Sequence, residues 1–431
     1  MVSSKSEAGL IYNIKFSSVG PANVTGQDVV YEPSNIDVAM KLHYLRGIYY
    51  FNSQAFQDVT IYQVKEPIFL CFNHFYMTAG RFRRAESGRP YIKCNDCGAR
   101  FIEAQCDKTL EEWLEMKDAS LEKLLVSNQV LGPELAFSPP ILIQQTKFKC
   151  GGVSLGLSWA HVLGDVFSAT EFINFLGKVV VGYQPARPNN LAHSLTKANS
   201  TQTLQKIVED PLSIKRVGPV EDHWIANNSC KMESFSIQVT ASKLSQIQSR
   251  TEIKGPFESL CAIIWQSISK IRDGPEPKVV TICKKSEEKK EGLVGNNQVI
   301  GVVKVDHSIR EANPSELARL IKDEIIDERL KIDEAIENDH GVSDVVVYGA
   351  NLTFVNMEGA DLYGFDWKGH KPMNVSYLID GVGDAGTVVV LPAGPNDSSK
   401  DGDEGRIVTM TLPEDEIMKL KFELNKEWSI A

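Results

Sequence analysis

Residues 150–165 read CGGVSLGLSWAHVLGD, an apolar run punctuated by glycines that ends in a histidine and, four residues later, an aspartate. The part of the run up to Ala160 is typical of a buried strand. Beyond it, apolar residues between Phe167 and Val180 recur at helical spacing,. His161 is therefore expected where a strand ends and a helix begins, a place where loops often carry chemistry. Imidazole is well suited to move a proton near neutral pH, so His161 is the first candidate for a functional residue.

The spacing alone is not specific, because His340 and Asp344 repeat it. The context separates the two matches: His340 follows a polar Glu-Asn-Asp run that is typical of a solvated helix end, whereas His161 ends an apolar strand. Asp165 stands where the N-cap residue of the following helix is expected. Capping or bracing the loop is therefore an alternative to a chemical role for this aspartate.

Composition predicts a soluble globular protein with more than one domain-sized core. The chain has 431 residues, of which 42% are hydrophobic and 24% charged,. A net charge of −10 without a dense Lys/Arg stripe argues against a nucleic-acid partner,. We find no secretory apolar core and no run of the ~18 apolar residues that a transmembrane segment needs, so a cytosol-facing chain is expected. Cys94 and Cys97 form a CxxC pair, but no second pair follows at zinc-site spacing, so we predict no metal site,.

Hydrophobic periodicity predicts an α/β fold of two mixed-sheet halves with covering helices. Their expected bounds are an N-terminal domain at 1–182, a crossover linker rich in Pro, Asn and Ser at 183–222, and a C-terminal domain at 223–431. The predicted helices lie at 35–45, 66–78, 109–126, 241–251, 257–271, within 315–339 and from 413. The predicted strands lie at 11–24, 45–51, 140–160, 231–239, 277–283, 298–305, 346–355, 374–380, 386–392 and 406–412. A cleft between two such halves is a natural ligand site.

Over nearly its whole length the sequence resembles the plant BAHD acyltransferase superfamily. The family's His-x-x-x-Asp loop is matched by His161 and Asp165. Further matches that carry the resemblance are Ala79-Gly80-Arg81, Cys150-Gly151-Gly152 and Gly295-Asn296. The stretches most similar to its Eceriferum/Glossy wax clade are 40–46, 157–169, 348–356 and 381–384. The resemblance implies a fold like that of chloramphenicol acetyltransferase, in which two pseudo-symmetric domains enclose a channel.

The resemblance also implies roles for individual residues. His161 would act as general base on an acceptor hydroxyl or amine that attacks an acyl-CoA thioester, Asp165 would brace the loop by pairing with a basic residue, and the Thr353 hydroxyl would face the reaction centre. No permanently bound cofactor is implied. Acyl-CoA is expected as substrate or ligand, with Asp366 and Lys371 of the family's second motif on its side of the channel.

This sequence departs from the family pattern at three places. Of the second motif, Asp-Phe-Gly-Trp-Gly, residues 366–370 keep only the aspartate. Val166 replaces a glycine that usually follows the catalytic loop, which is expected to stiffen it. Lys284 and Lys285 stand where the family supplies arginines, and lysine does not reproduce a bidentate pairing.

The resemblance to the wax clade implies a protein of cuticular wax biosynthesis. It would promote elongation of very-long-chain fatty acyl-CoA together with the fatty-acid elongase condensing enzyme, at the cytosolic face of the endoplasmic reticulum, and a monomer is expected. Nothing in the chain resembles the cysteine nucleophile of a condensing enzyme. The alternative is an acyl-CoA-dependent O- or N-acyltransferase with His161 as general base. A third possibility, a scaffold that binds no ligand, requires a filled cleft.

Overall fold

The computed structural model describes residues 9–26, 28–116, 118–127, 135–186, 210–287, 294–394 and 405–430. Most of the predicted linker at 183–222 lies outside the described residues. Within the described part of the chain, no helix is long and apolar enough to cross a membrane.

The described chain forms strands and helices in two groups. The strands are β1 (Ile11–Val19), β2 (Val30–Tyr31), β3 (Tyr44–Phe51), β4 (Arg81–Arg84), β5 (Pro90–Lys93), β6 (Ala99–Cys106), β7 (Ile141–Phe148), β8 (Val153–Ala160), β9 (Lys215–Arg216), β10 (Met232–Val239), β11 (Val279–Lys284), β12 (Val299–Lys304), β13 (Ile326–Asp327), β14 (Val345–Val346), β15 (Leu352–Asn356), β16 (Asn374–Asp380), β17 (Thr387–Pro392) and β18 (Arg406–Pro413). The helices are α1 (Asn35–Ala39), α2 (Ile61–Cys71), α3 (Leu110–Glu115), α4 (Ala119–Glu122), α5 (Val166–Val180), α6 (Ala241–Thr251), α7 (Pro256–Ile271), α8 (Pro314–Asp323), α9 (Arg329–Asn338) and α10 (Glu414–Trp428).

A six-stranded mixed sheet organises the first half, in the order β1-β6-β7-β8-β3-β16. All residues of β3 and β8 are buried, which explains their nearly continuous apolar sequence,. The last strand, β16, comes from the second half of the chain and pairs antiparallel with β3, so that Asp380 lies opposite Tyr44. The sheet of the first half therefore includes a strand from the second half, and this backbone pairing joins the two halves. Tyr44 also lies opposite Ala160, which places the end of β8 beside this junction.

A seven-stranded sheet organises the second half, in the order β10-β18-β17-β15-β11-β12-β13. Its centre is parallel, since β15 pairs in parallel with both β11 and β17. Residues of α6, α7, α8 and α10 pack with the sheet in one hydrophobic core. Two mixed sheets with covering helices confirm the predicted α/β class.

Several predicted helices are shorter or divided. The predicted helix within 315–339 is wrong as a single helix: it is α8 and α9, separated by β13, because Ile326 pairs with Val302 at the edge of the sheet. The predicted helix at 109–126 is likewise α3 and α4, and Asp118 caps the second by accepting from the Ser120 N–H. The helix predicted at 35–45 ends at Ala39, because β3 begins at Tyr44.

Candidate functional site

His161 lies in a single 3₁₀ turn, His161–Leu163, between β8 and α5. The chain leaves this turn through Gly164, whose φ of +152° belongs to a region that side chains rarely adopt,. A Cβ on Gly164 would lie 2.8 Å from the Ser168 side chain and 2.9 Å from the Gly295 nitrogen. Glycine at this position therefore allows the histidine loop to pack directly on a segment of the second half. The predicted strand-to-helix junction is confirmed.

Asp165 joins the two halves through backbone amides. Its Oδ1 accepts from the N–H groups of Phe167 and Ser168, at 3.1 and 3.2 Å, and so caps α5. Its Oδ2 accepts from the N–H groups of Asn297 and Gln298, both at 2.9 Å. In the described part of the chain, no lysine or arginine forms an ion pair with this carboxylate. The basic partner that the family resemblance implied is therefore replaced by four backbone donors.

The charge of Asp165 follows from the balance of burial and these hydrogen bonds. Burial raises the pKa of Asp165 to about 6, and the four backbone N–H groups oppose that shift. A pKa of about 6 leaves the carboxylate ionised at pH 7, as an acceptor of four hydrogen bonds requires,.

Further buried hydrogen bonds fix residues 295–298, the segment of the second half that Asp165 also contacts. The backbone N–H and the Nδ2 of Asn296 donate to Asp37 Oδ1 at 2.7 and 2.8 Å, and Nδ2 also donates to the His161 carbonyl at 2.8 Å. The Ser168 hydroxyl donates to the Gly295 carbonyl at 3.0 Å. Residues 295–298 are therefore bonded to α1, to the histidine turn and to α5 at once.

The His161 imidazole is completely buried and is hydrogen-bonded to a tyrosine. Its Nε2 lies 2.9 Å from the Tyr348 hydroxyl, and the same hydroxyl lies 2.9 Å from the Gln298 Nε2. An amide nitrogen only donates, so the phenol oxygen accepts from Gln298, and its single hydrogen can be donated to His161 Nε2 if that nitrogen carries no proton,. This direction of the bond corresponds to the His161 tautomer with the proton on Nδ1, whereas a proton on Nε2 would make the imidazole the donor to the phenol oxygen,. Burial lowers the pKa of His161 to about 4, which keeps the ring neutral at pH 7,.

The backbone of Tyr348 is held from both halves of the fold. The N–H groups of Val347 and Tyr348 donate to His43 Nε2 at 3.0 and 3.3 Å. On the other side, the Gly383 N–H donates to the Tyr348 carbonyl at 2.9 Å. Gly349, at φ +84°, leaves no room for a Cβ against the Gly383 backbone. Burial, and then the charge of His161, lowers the pKa of His43 to about 3, so this ring remains a neutral acceptor.

Thr353 supports the turn that carries Tyr348. Its buried hydroxyl accepts from the Gly349 N–H at 3.1 Å and donates to the Asn351 carbonyl at 2.9 Å. The single hydroxyl proton is therefore used inside the turn. The hydroxyl that contacts His161 is that of Tyr348.

Asp366 lies at the far end of α5 from His161, and Lys371 follows Asp366 by five residues. A Cβ on Gly177 of α5 would lie 2.9 Å from the Asp366 backbone, and Gly177 follows Asp165 by twelve residues, about 18 Å along a helix,. The Asp366 side chain accepts from the Gly369 N–H within its own turn, and Lys371 is exposed. The structure therefore does not bring these two residues together with His161.

A surface cavity of about 560 Å³ beside α5 includes Asp366 in its lining. Two lysines in the lining, Lys178 and Lys285, face three carboxylates, those of Glu171, Asp361 and Asp366. A coenzyme A pyrophosphate would meet more negative than positive charge at this place. The lining therefore does not fit the phosphates of that ligand.

Sequence reasoning did not assign functions to Tyr348, Gln298 or His43, which complete the buried cluster around His161. Tyr348 and Asn296 lie in stretches that resemble the family, but these matches do not reveal which side chains meet. The helical stretch around His43 is typical of a core or interface residue, and the structure places this ring completely buried between the halves.

Comparison with known proteins identifies relatives along the whole chain. The model of the family described as the Transferase family matches residues 14–427. Protein ECERIFERUM 26 of Arabidopsis thaliana is 41% identical over 432 residues, which cover 98% of this chain and 97% of that protein. Vinorine synthase has a similar fold, with a TM-score of 0.66, 17% identity and coverage of 96% of this chain and 98% of the other. TRI101 of F. graminearum, solved with coenzyme A and deoxynivalenol, has a TM-score of 0.67, 14% identity and coverage of 93% and 98%.

Proposed function

Since the chain belongs to the BAHD transferase family, we propose that it is a protein of cuticular wax biosynthesis that promotes the elongation of very-long-chain fatty acyl-CoA. It would act with the fatty-acid elongase condensing enzyme at the cytosolic face of the endoplasmic reticulum. Similarity to ECERIFERUM 26 over nearly the full length supports the wax role. Contact with such an enzyme would place the protein at that membrane.

The observation that favours an accessory role over acyl transfer is the hydrogen bond between Tyr348 and His161. A general base needs a free lone pair within hydrogen-bonding distance of the acceptor's proton. The His161 Nε2 is already hydrogen-bonded to the Tyr348 hydroxyl at 2.9 Å, so the position of an acceptor hydroxyl is occupied, and both side chains are buried. We therefore place the contribution of this chain in binding, with acyl-CoA or its acyl chain as the ligand.

Acyl transfer to an alcohol or amine, with His161 as base, is the second candidate. It is favoured by the intact histidine loop, in which His161 follows β8 directly and Asp165 caps α5. The crystal structure of TRI101 with coenzyme A gives a precedent for that ligand on this fold. Asp366 and Lys371 remain proposed contacts for acyl-CoA, although the charge around Asp366 does not favour its phosphates.

When co-expressed with a plant condensing enzyme in yeast, His161→Ala is expected to lengthen acyl chains to the same extent as the wild type. The reason is that the accessory role does not use the Nε2 lone pair. The measurement is the chain-length distribution of total fatty acids by gas chromatography. Cells with the condensing enzyme alone give the baseline, and immunoblotting establishes equal protein levels.

The matched control is His340→Ala, which removes an exposed histidine of the same sequence pattern. Lengthening by wild type and His340→Ala but not by His161→Ala would support the acyltransferase alternative. An unchanged distribution with the wild-type chain would exclude the elongation role.

A further inference from the structure

We infer that Tyr348 is a built-in occupant of the position that an acceptor hydroxyl would take at His161, and that it closes this centre to external alcohols and amines. The inference deepens the proposed function, because it gives a physical reason why a chain with an intact histidine loop would bind rather than transfer an acyl group. It concerns only residues of this chain and requires no bound ligand.

The first step is the use of every hydrogen-bonding group between the two rings. The Tyr348 oxygen accepts from Gln298 at 2.9 Å and lies 2.9 Å from His161 Nε2, to which the phenol donates when the His161 proton is on Nδ1,. This is the separation at which a general base holds an acceptor hydroxyl. Burial raises the pKa of Tyr348 well above its usual value, while burial lowers the pKa of His161. Proton transfer from the phenol to the imidazole is therefore unfavourable, and the pair stays a neutral hydrogen bond.

The second step is that Tyr348 is fixed where it is. Its ring lies against His43, with centroids 4.8 Å apart, and against His161, with centroids 5.3 Å apart. Its backbone N–H and carbonyl bond to His43 and Gly383. The donor to its hydroxyl, Gln298, is held through its own backbone N–H by Asp165. Groups from both halves therefore position the phenol, which distinguishes it from a surface side chain that has folded inward.

The third step is steric. His161 and Tyr348 have relative exposures of 0% and 1%. An external hydroxyl that replaces the phenol would have to displace a whole aromatic side chain from a packed interior, where vacated volume and a lost hydrogen bond are both unfavourable. The acceptor position is therefore occupied in the folded chain without any ligand.

The test is the side-chain ¹⁵N spectrum of histidine-labelled protein, in which His161→Gln identifies the His161 resonances among those of the eight histidines. In the wild type we expect a protonated Nδ1 and an Nε2 shifted by an accepted hydrogen bond. Tyr348→Phe keeps the ring and removes the hydroxyl, so its Nε2 resonance is expected to move to the position of a free pyridine-type nitrogen. Tyr49→Phe is the matched control, because its buried hydroxyl bonds to Tyr377 at 2.6 Å and is expected to leave His161 unchanged.

A second readout asks whether removal of the occupant opens the centre. Tyr348→Ala is expected to hydrolyse p-nitrophenyl acetate about 100-fold faster than the wild type, the lower end of what a general base typically contributes. The double variant Tyr348→Ala with His161→Gln is expected to lose that gain. Thermal melts verify that each variant is folded. If Tyr348→Ala does not fold, the ¹⁵N spectrum of Tyr348→Phe alone tests whether the tyrosine hydroxyl is bonded to His161.

Three outcomes would overturn the inference. They are a proton on Nε2 in the wild type, a His161 spectrum that Tyr348→Phe leaves unchanged, and a folded Tyr348→Ala that hydrolyses the ester no faster than the wild type. An acyl ester found on Tyr348 by mass spectrometry after incubation with acyl-CoA would also overturn it, since the tyrosine would then be a nucleophile. None of these results alters the chain-length assay, so failure of the inference and failure of the proposed function are distinguishable.

Discussion

Asp165→Ala is expected to lower the free energy of unfolding by about 4 kcal/mol, because it leaves four backbone donors without their acceptor,. Loss of the helix cap alone accounts for about 1 kcal/mol. The remaining loss comes from the partly buried N–H of Asn297 and the buried N–H of Gln298, in a segment that belongs to the second half. The measurement is urea denaturation at pH 7, followed by tryptophan fluorescence and circular dichroism.

Two variants separate capping from the contact between the halves. Asp118→Ala removes an exposed cap from α4 and is expected to lose about 1 kcal/mol,. Asp165→Asn retains one oxygen for the cap but turns an NH₂ group toward two N–H donors, so an intermediate loss is expected. Equal losses for Asp165→Ala and Asp118→Ala would mean that Asp165 is a cap and nothing more.

The local parts of the site were predictable because short-range patterns determine them. A continuous apolar run predicts a strand buried on both faces, and all residues of β8 are buried up to Ala160,. A side-chain oxygen just before a helical stripe predicts an N-cap, and Asp165 accepts from the N–H groups of Phe167 and Ser168. Each of these features depends on residues that are close to His161 or Asp165 in the sequence.

The long-range parts could not be predicted in this way. Tyr348 follows His161 by 187 residues and Gln298 by 50, and their contact depends on how the two sheets share β16. The partners of Asp165 from the second half are backbone N–H groups, which every residue except proline has and which therefore leave no trace in the sequence. The division of the predicted helix within 315–339 has a similar cause, since helical spacing does not show that Ile326 pairs with a strand edge.

Acidification from pH 7 to 4.5 is expected to reduce the free energy of unfolding by roughly 2 to 3 kcal/mol for each of His161 and His43. Their pKa values are lowered to about 4 and about 3 in the folded protein, against 6.5 in the unfolded chain,. Below pH 6.5 the unfolded state therefore binds protons that the folded state does not, so stability falls as the pH falls. Asp165 acts in the opposite direction, because burial raises its pKa to about 6.

Comparison between variants separates the contribution of the two histidines to the pH dependence of stability from that of the carboxylates. His161→Gln and His43→Gln each provide an amide oxygen that accepts hydrogen bonds in place of the lost imidazole but does not bind a proton. Each is therefore expected to reduce the loss of stability on acidification by roughly 2 to 3 kcal/mol. The double variant is expected to gain less than the sum, because the ring centroids lie only 6.4 Å apart and the charge of His161 contributes to the lowered pKa of His43,. His340→Gln removes an exposed imidazole and is expected to follow the wild type. A decline in His161→Gln as steep as in the wild type would mean that this imidazole takes up its proton in the folded state, and with it that the buried pair of His161 and Tyr348 is open to water.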